Sequence, residues 1–272
     1  MPIPLQQQTL DALEAKGVNS KIMDASLMDA VFDFKPAEHV RAVGISTSSR
    51  PEYGGKFSHS KMILQEVLDH LQTRGAQTQM IDAKTLNLYE CAGYYSRGQT
   101  ECIFPCKTSI ARKDDQMKQI YRALLESDIV IWATPIRWGM YGSLLKKIIE
   151  RMNCIENMQS VFGVNLIENK VAGFVVIGHE DGAQNTAGLL SMTMSAMGWN
   201  IPPHCMCYFV GPADEQTELD DERIAKNQVH ELAEQLAENS YNLAVKLTGK
   251  TKKYVAPMPE KTPAEQTITK EV

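Results

Sequence analysis

No apolar run in this chain is longer than a β-strand, so none approaches the ~20 residues that a membrane-spanning helix needs. An excess of positive charge is missing too. Lys and Arg total 28 against 33 Asp and Glu, and a net charge of -5 argues against nucleic acid as the main partner. Gly-x-x-x-x-Gly-Lys is absent, which argues against a nucleoside-triphosphate P-loop. The first residues, Met1 to Gln8, have neither the basic start nor the apolar core of a secretion signal. A cytoplasmic location with no membrane partner is therefore expected. Cysteines number only six, and in that compartment they read as reduced thiols or metal ligands rather than structural disulfides. No internal repeat is found.

What is present is an alternation of strand-like and helix-like segments. His39 to Ile45 reads as a short β-branched strand, followed by a polar loop and a helix with Leu64, Leu68 and Leu71 on one side. Residues 76–81 read as a second strand, 129–133 as a third, 171–177 as a fourth and 205–210 as a fifth. Helices are expected over 114–126, 139–154, 182–197 and 220–247. Five such alternations predict a parallel sheet covered on both faces, with right-handed crossovers. At 272 residues the chain is long enough for one substantial core. Residues 1–38 read as an N-terminal arm and 39–248 as the main domain, with a cysteine-bearing insertion at 83–113. From Gly249 onward prolines, lysines and threonines dominate, which predicts a flexible tail.

Three loops stand out, and in such a sheet they emerge at one edge. The first, 46–60, is rich in hydroxyls and ends at a helix start, where backbone N–H groups and the helix dipole favour an anion. Ser46, Ser48, Arg50, Ser58 and Ser60 are the candidate phosphate ligands, with the plain alternative that Ser58 or Ser60 only caps the helix. The second is Thr134-Pro135-Ile136-Arg137-Trp138-Gly139, directly after the third strand. Pro135 stiffens the backbone, Trp138 offers a flat apolar face and Gly139 lets main chain approach a planar group. A flavin suits that combination; the competing reading packs Trp138 in the core. The third loop contains His179, Asp181, Gly182, Ala183 and Gln184, and its backbone donors suit flavin carbonyls and ring nitrogens.

In this order the loops resemble those of the flavodoxin-like NADPH-dependent FMN reductase family, near its multimeric flavodoxin and iron–sulfur flavoprotein branches. The most specific match is 133–139 with Ser143-Leu144-Leu145-Lys146 and Ile149-Glu150-Arg151 behind it, and the likeness spans about 40–247. It implies a doubly wound five-stranded α/β sheet in the order 2-1-3-4-5, FMN as cofactor, and a homodimer or homotetramer. The phosphate is expected in loop 46–60 and the ring between 134–139 and 179–185. The first loop departs from the commoner Gly-Ser-x-Arg form, so which hydroxyls meet the phosphate stays open.

The implied activity is an NAD(P)H oxidoreductase passing hydride through FMN to a quinone, a free flavin or a similar small acceptor. The cofactor carries the chemistry, so no catalytic side chain is expected. The alternative is an electron-carrier flavoprotein without a nicotinamide site. Iron–sulfur relatives keep a compact four-cysteine motif. Here Cys91, Cys102 and Cys106 are separated by ten and three residues and lack a nearby fourth, so no metal site is expected. Cys154, Cys205 and Cys207 read as core residues. Tyr94 and Tyr95 are expected to wall the flavin's outer face.

Overall fold

The computed structural model describes residues 37–50, 58–163, 165–179, 182–211 and 228–255. The central sheet contains β1 (Arg41–Ser46), β2 (Gln77–Asp82), β3 (Ile129–Arg137), β5 (Val171–Gly178) and β6 (Met206–Val210), all parallel in the order β2-β1-β3-β5-β6. β4 is only Met140–Tyr141, antiparallel to the end of β3. With that short hairpin strand set aside, the parallel order is the expected 2-1-3-4-5.

The strands that read as apolar runs occupy the middle of the sheet. β3 is buried from Ile129 to Ile136 and β5 from Val171 to Ile177. A strand covered on both faces needs apolar side chains in both directions, so it shows no polar alternation. β2, at the edge, carries the polar run Gln77-Thr78-Gln79 and is only partly covered. Polar side chains suit a sheet edge, where apolar ones would invite further strand pairing.

Two helices cover one face. α1 (His59–Thr73) and α6 (Val229–Thr248) pack Leu64, Leu68, Leu71, Leu236 and Ala237 on Ala42, Ile131 and Val175. The other face is covered by α3 (Met117–Glu126), α4 (Ser143–Phe162) and α5 (Ala183–Ala196). Trp132 lies at its centre, fully buried, edge-on to Trp199 with ring centroids 6.5 Å apart.

Several boundaries differ from the sequence expectation. The helix anticipated from Gly139 begins at Ser143, because 137–141 fold into a β-hairpin first. The final helix is seen from Val229; 212–227 fall outside the described residues, as do 1–36 of the proposed arm. The segment after Gly249 is held to the domain before the described residues end at 255. Lys250 Nζ lies 2.7 Å from both oxygens of the nearly buried Asp128, and Tyr254 N donates to Gly75 O at 2.9 Å. Composition foretells no such anchoring, because it takes a partner more than a hundred residues away.

Asp114 and Asp115, expected to open a helix, precede one that starts at Met117. Asp115 is instead buried as the counter-charge of Arg151, with Nη2 to Oδ2 at 2.6 Å. Within the insertion, α2 (Lys107–Ala111) and three short 3-10 turns are the regular structure. The insertion is fastened to α4 by Lys147 donating to Leu88 O at 3.0 Å, Arg151 to Tyr89 O at 2.8 Å and Asn157 to Cys102 O at 2.8 Å.

Candidate functional site

Parallel register decides which residues meet at the carboxyl edge of the sheet. Pro135 pairs with Ile177, and Ile177 with Phe209, so these three side chains form a row across β3, β5 and β6. Opposite the row stands the amino end of α1. Between them opens a cleft of about 400 Å³, lined by Ser48, Ser49, Arg50, Ser58, His59 and Ser60 on the polar side. Pro135, Ile177 and Phe209 supply the apolar side, with Arg137, Gly178 and His179 completing the rim. One wall donates hydrogen bonds and the other is greasy. That asymmetry suits a phosphorylated aromatic ligand, and the volume lies in the range of small-molecule sites.

The polar wall is short of acceptors. Ser58 occupies the N-cap position of α1, yet its side chain makes no capping bond. Its Oγ lies 2.9 Å from Ser60 Oγ, while its carbonyl receives Lys61 N and Met62 N. The first N–H groups of a helix have no carbonyl in their own helix to bind, so they face this end of the cleft together with the serine pair. Ser48 Oγ accepts Arg50 N at 3.4 Å, and Lys84 Nζ donates to Arg50 O at 3.1 Å. Those two bonds hold the Arg50 backbone over the cleft.

Ser46 sits differently. It follows Ala42 and Gly44 on the side of β1 that faces α1, as strand alternation dictates, and it is fully buried. It does not line the cleft. Its hydroxyl nevertheless finds no hydrogen-bond partner. A buried hydroxyl without a partner costs about 1–3 kcal/mol, and one placed under an anion loop marks the room left for a ligand oxygen or a bound water. Neighbouring Thr47 is spent on the scaffold, with Oγ1 donating to Ala133 O at 2.8 Å.

The second loop divides into a frame and a tip. Thr134 is buried and frames the turn: its Oγ1 accepts Gly142 N at 3.0 Å. Ile136 is also buried, whereas Pro135 faces the cleft. Trp138 and Gly139 form a two-residue hairpin loop, both with positive φ, 51° and 70°. Both signs positive is the turn that matches strand twist, and it is usually made by Asn-Gly or Asp-Gly. A tryptophan held there costs of order 1 kcal/mol. The core alternative for Trp138 does not hold, since the side chain is 97% exposed. With Ile136, Arg137 and His179 it borders a second hollow of about 220 Å³ that adjoins the first. Arg137 Nη1 donates to Ile136 O at 3.0 Å, which directs the exposed guanidinium along the rim.

The third loop locks against the second. Gly182 has φ of 108° and stands at the N-cap of α5, and an added Cβ would meet Gly139 Cα at 3.2 Å. Thr186 Oγ1 and Asn185 Nδ2 donate to Gly139 O at 3.2 and 3.4 Å. Gln184 Nε2 reaches Tyr208 Oη at 3.3 Å, and Ala183 is buried. His179 is exposed and borders both hollows. Asp181 lies outside the described residues.

The structure thus brings Ser48, Arg50, Ser58, Ser60, Pro135, Arg137 and His179 to one cleft, and sets Trp138 beside it. Ser46, Thr134, Ile136, Gly139, Gly182, Ala183 and Gln184 build its walls and hinges rather than its lining. Five lining residues escaped sequence reasoning: Ser49, His59, Ile177, Gly178 and Phe209. For Ile177 and Phe209 the signal was their position at strand ends on the ligand-binding edge. The tyrosine wall is not found. Tyr95 lines a separate hollow of about 420 Å³ with Cys91, Lys146 and Asn153, because the bonds from Lys147 and Arg151 draw the insertion onto α4. Tyr94 instead lies under Arg97 and Lys107.

All six cysteines are free. Cys207 and Cys154 are buried core residues as expected, whereas Cys205 is half-buried. Among the described residues no group of three or more His, Cys, Asp or Glu is placed to hold a metal ion. Nor is any described helix long and apolar enough to cross a membrane.

Comparison with known proteins places the same stretch. The NADPH-dependent FMN reductase family matches residues 40–210, which span all six strands. The chain is similar to 8-demethyl-8-aminoriboflavin-5'-phosphate synthase of Streptomyces davaonensis, 33% identical over 103 residues, 38% of this chain and 40% of that one. It therefore aligns with less than half the length of this relative. An iron–sulfur flavoprotein of Archaeoglobus fulgidus is 25% identical over 69% of this chain and 75% of its own. A solved structure of RosB with bound 8-demethyl-8-formylriboflavin-5'-phosphate shares the fold, with TM-score 0.62, 20% identity and coverage of 82% of this chain and 93% of that one. With the sheet order, the edge cleft and this match in agreement, the chain belongs to the NADPH-dependent FMN reductase family, a flavodoxin-like group of flavoprotein oxidoreductases.

Proposed function

We infer that the chain is an FMN-dependent NAD(P)H oxidoreductase delivering electrons to a small acceptor such as a quinone or a free flavin. The observation that carries this reading is the two-sided cleft, with serines, Arg50 and a helix amino end facing the row Pro135, Ile177 and Phe209. The donors fit a phosphate monoester: hydroxyls and N–H groups at a helix start bind an anion, and Arg50 neutralises it. Ser46, the buried hydroxyl without a partner, is the atom such a ligand or its ordered water would satisfy.

When bound, FMN supplies a ring that accepts hydride from a nicotinamide and passes electrons onward. The residues of the chain bind and orient. Ser48, Ser58 and Ser60 with Arg50 hold the phosphate, and Pro135 and Phe209 give the apolar surface. The N–H groups at Gly182 and Ala183, at the amino end of α5, favour negative charge on the adjoining ring edge. Arg137, exposed on the rim, is placed to attract the phosphates of a nicotinamide nucleotide. His179 and Trp138 border the hollow where the acceptor would enter, and Asp181 keeps its sequence assignment to the ring loop.

The purified protein is expected to be yellow, and the colour to bleach with NADH or NADPH without oxygen and return on adding a quinone. A coloured protein that neither nucleotide bleaches would leave an electron carrier in place of the oxidoreductase. Pro135→Asp should weaken FMN binding with the fold intact, and unchanged affinity would overturn the assignment of that loop. A homodimer or homotetramer is expected, and a monomer by light scattering at micromolar concentration would contradict it. A second reading, in which a flavin phosphate is substrate rather than cofactor, is favoured by the 33% identity to a riboflavin-phosphate-modifying synthase. Flavin recovered after turnover with unchanged mass would dispose of it.

A further inference from the structure

Beside the cleft, the turn between β3 and β4 carries a strain that the fold does not use. Trp138 has φ of 51°, in the left-handed region that side chains seldom adopt, and its indole is 97% exposed. The position costs stability, and burial of the ring does not offset it. Such strain persists only where neighbouring structure dictates the backbone, and it gathers at ligand clamps. Here α5 does the dictating. Thr186 Oγ1 and Asn185 Nδ2 donate to Gly139 O, and Gly182, which has no Cβ, lies against Gly139. The turn is fixed, and it holds a flat apolar ring in solvent.

Trp138 borders the hollow of about 220 Å³ together with Ile136, Arg137 and His179. Arg137 and His179 also line the larger cleft, so the two spaces adjoin. The hollow beside Tyr95 shares no lining residue with either. A cavity of about 150 Å³ accommodates one benzene ring, so this hollow admits a one- or two-ring molecule and is too small for a whole dinucleotide. Charge narrows the choice. Among the described residues, the two spaces are lined by two arginines and no carboxylate, in a chain whose net charge is -5. Arg50 stands with the serines at the phosphate end. Arg137 stands at the hollow, its Nη1 donating to the neutral Ile136 O.

We propose that this hollow is a subsite for a one- or two-ring aromatic acceptor carrying an acidic group, with the ring laid on Trp138 and the acid met by Arg137. The proposal rests on the oxidoreductase reading only for what the bound molecule does next; the recognition belongs to these side chains. A flat ring on an indole gains contact without needing a particular substituent. A guanidinium presents paired N–H groups that match a carboxylate or sulfonate, a match that an amide does not reproduce. His179, at the boundary of the two spaces, offers ring nitrogens to an oxygen on the side of the acceptor that faces the cleft. The same guanidinium serves the nicotinamide phosphates while the donor is present, and the acceptor enters after the donor has left. Selection thus has two separate parts, planarity through Trp138 and negative charge through Arg137.

The test is a calorimetric titration of the full chain, in excess FMN, with naphthoate and its neutral isostere naphthamide. Neither probe accepts electrons, so binding is read apart from turnover. Wild type is expected to prefer naphthoate by about tenfold or more, and Arg137→Gln to erase that preference. Trp138→Ala should weaken both probes alike, by roughly threefold to tenfold, and Trp138→Phe should restore most of the loss. Equal binding of the two probes by wild type, a preference that survives Arg137→Gln, or no binding at all would overturn the proposal. So would displacement of FMN by naphthoate, which would put the probe in the first cleft. The preference is a ratio measured within one protein, so it does not depend on how stable a variant is. A protein that selects naphthoate but is bleached by neither nucleotide would keep the subsite and remove the oxidoreductase reading. Turnover with the two probes bound alike would do the reverse.

Discussion

The cleft at the sheet edge and the cluster around Arg151 each set an arginine near serine, and they are finished differently. Arg151 is sealed in, with Asp115, Ser109 and Tyr89 O answering its terminal nitrogens at 2.6–3.3 Å. Arg50 is half-exposed, and the serines near it bind one another or the backbone. One arginine has its carboxylate supplied by the chain. The other stands where an anion from outside would complete the set. A guanidinium paired inside serves the fold, and one left at the mouth of a cleft serves a ligand.

Removing each arginine should break the comparison in opposite ways. Arg151→Ala strands a buried carboxylate and should cost about 3–5 kcal/mol in urea unfolding, with Asp115→Asn as the gentler probe. Arg50→Ala should leave stability unchanged and weaken FMN binding ten- to hundredfold, the loss of about 1.5–3 kcal/mol from a charge-assisted bond. Riboflavin, without the phosphate, should bind both Arg50 forms alike in a fluorescence titration. Equal losses for the two flavins would remove Arg50 from the phosphate.

Acid sharpens the same contrast. Burial works to raise the Asp115 carboxyl, but the bonds from Arg151 and Ser109 outweigh it, and the group lies below its ordinary range. Its contribution to stability is therefore present above the unfolded value of ~3.9 and lost as pH falls through the lower folded one. The gap in urea midpoint between wild type and Asp115→Asn should hold from pH 7 to 5 and close below about pH 4. The smallest effect concerns Trp138. Replacing it with Ala should move stability by no more than ~0.5 kcal/mol, since the ring is 97% exposed. Replacing it with Gly relieves the positive φ and should stabilise by up to about 1 kcal/mol, read as a rise in melting temperature.

The parts of the fold visible in sequence were those set by local pattern. The apolar runs at 129–133 and 171–177 are central strands because only a doubly covered strand tolerates such a run. Leu64, Leu68 and Leu71 mark the buried side of α1 through helical periodicity. The hairpin after β3 was not visible, because Trp138-Gly139 is not a usual sequence for a turn with two positive φ values. The partner of Asp115 was equally hidden: Arg151 lies 36 residues away, and Asp115 read as an ordinary charge at a helix start.

By itself the sequence determined a parallel α/β sheet, its order through family likeness, and three loops bound for one edge. These follow from periodicity and chain direction, which are local. Only the tertiary structure decided what each loop residue does there. Register across three strands lines up Pro135, Ile177 and Phe209, burial hides Ser46, and the left-handed turn puts Trp138 into solvent. It also brought Arg151 against Asp115, 36 residues apart, in a sealed ion pair. Contacts of that kind depend on how helices seat on the sheet, and no spacing along the chain records it.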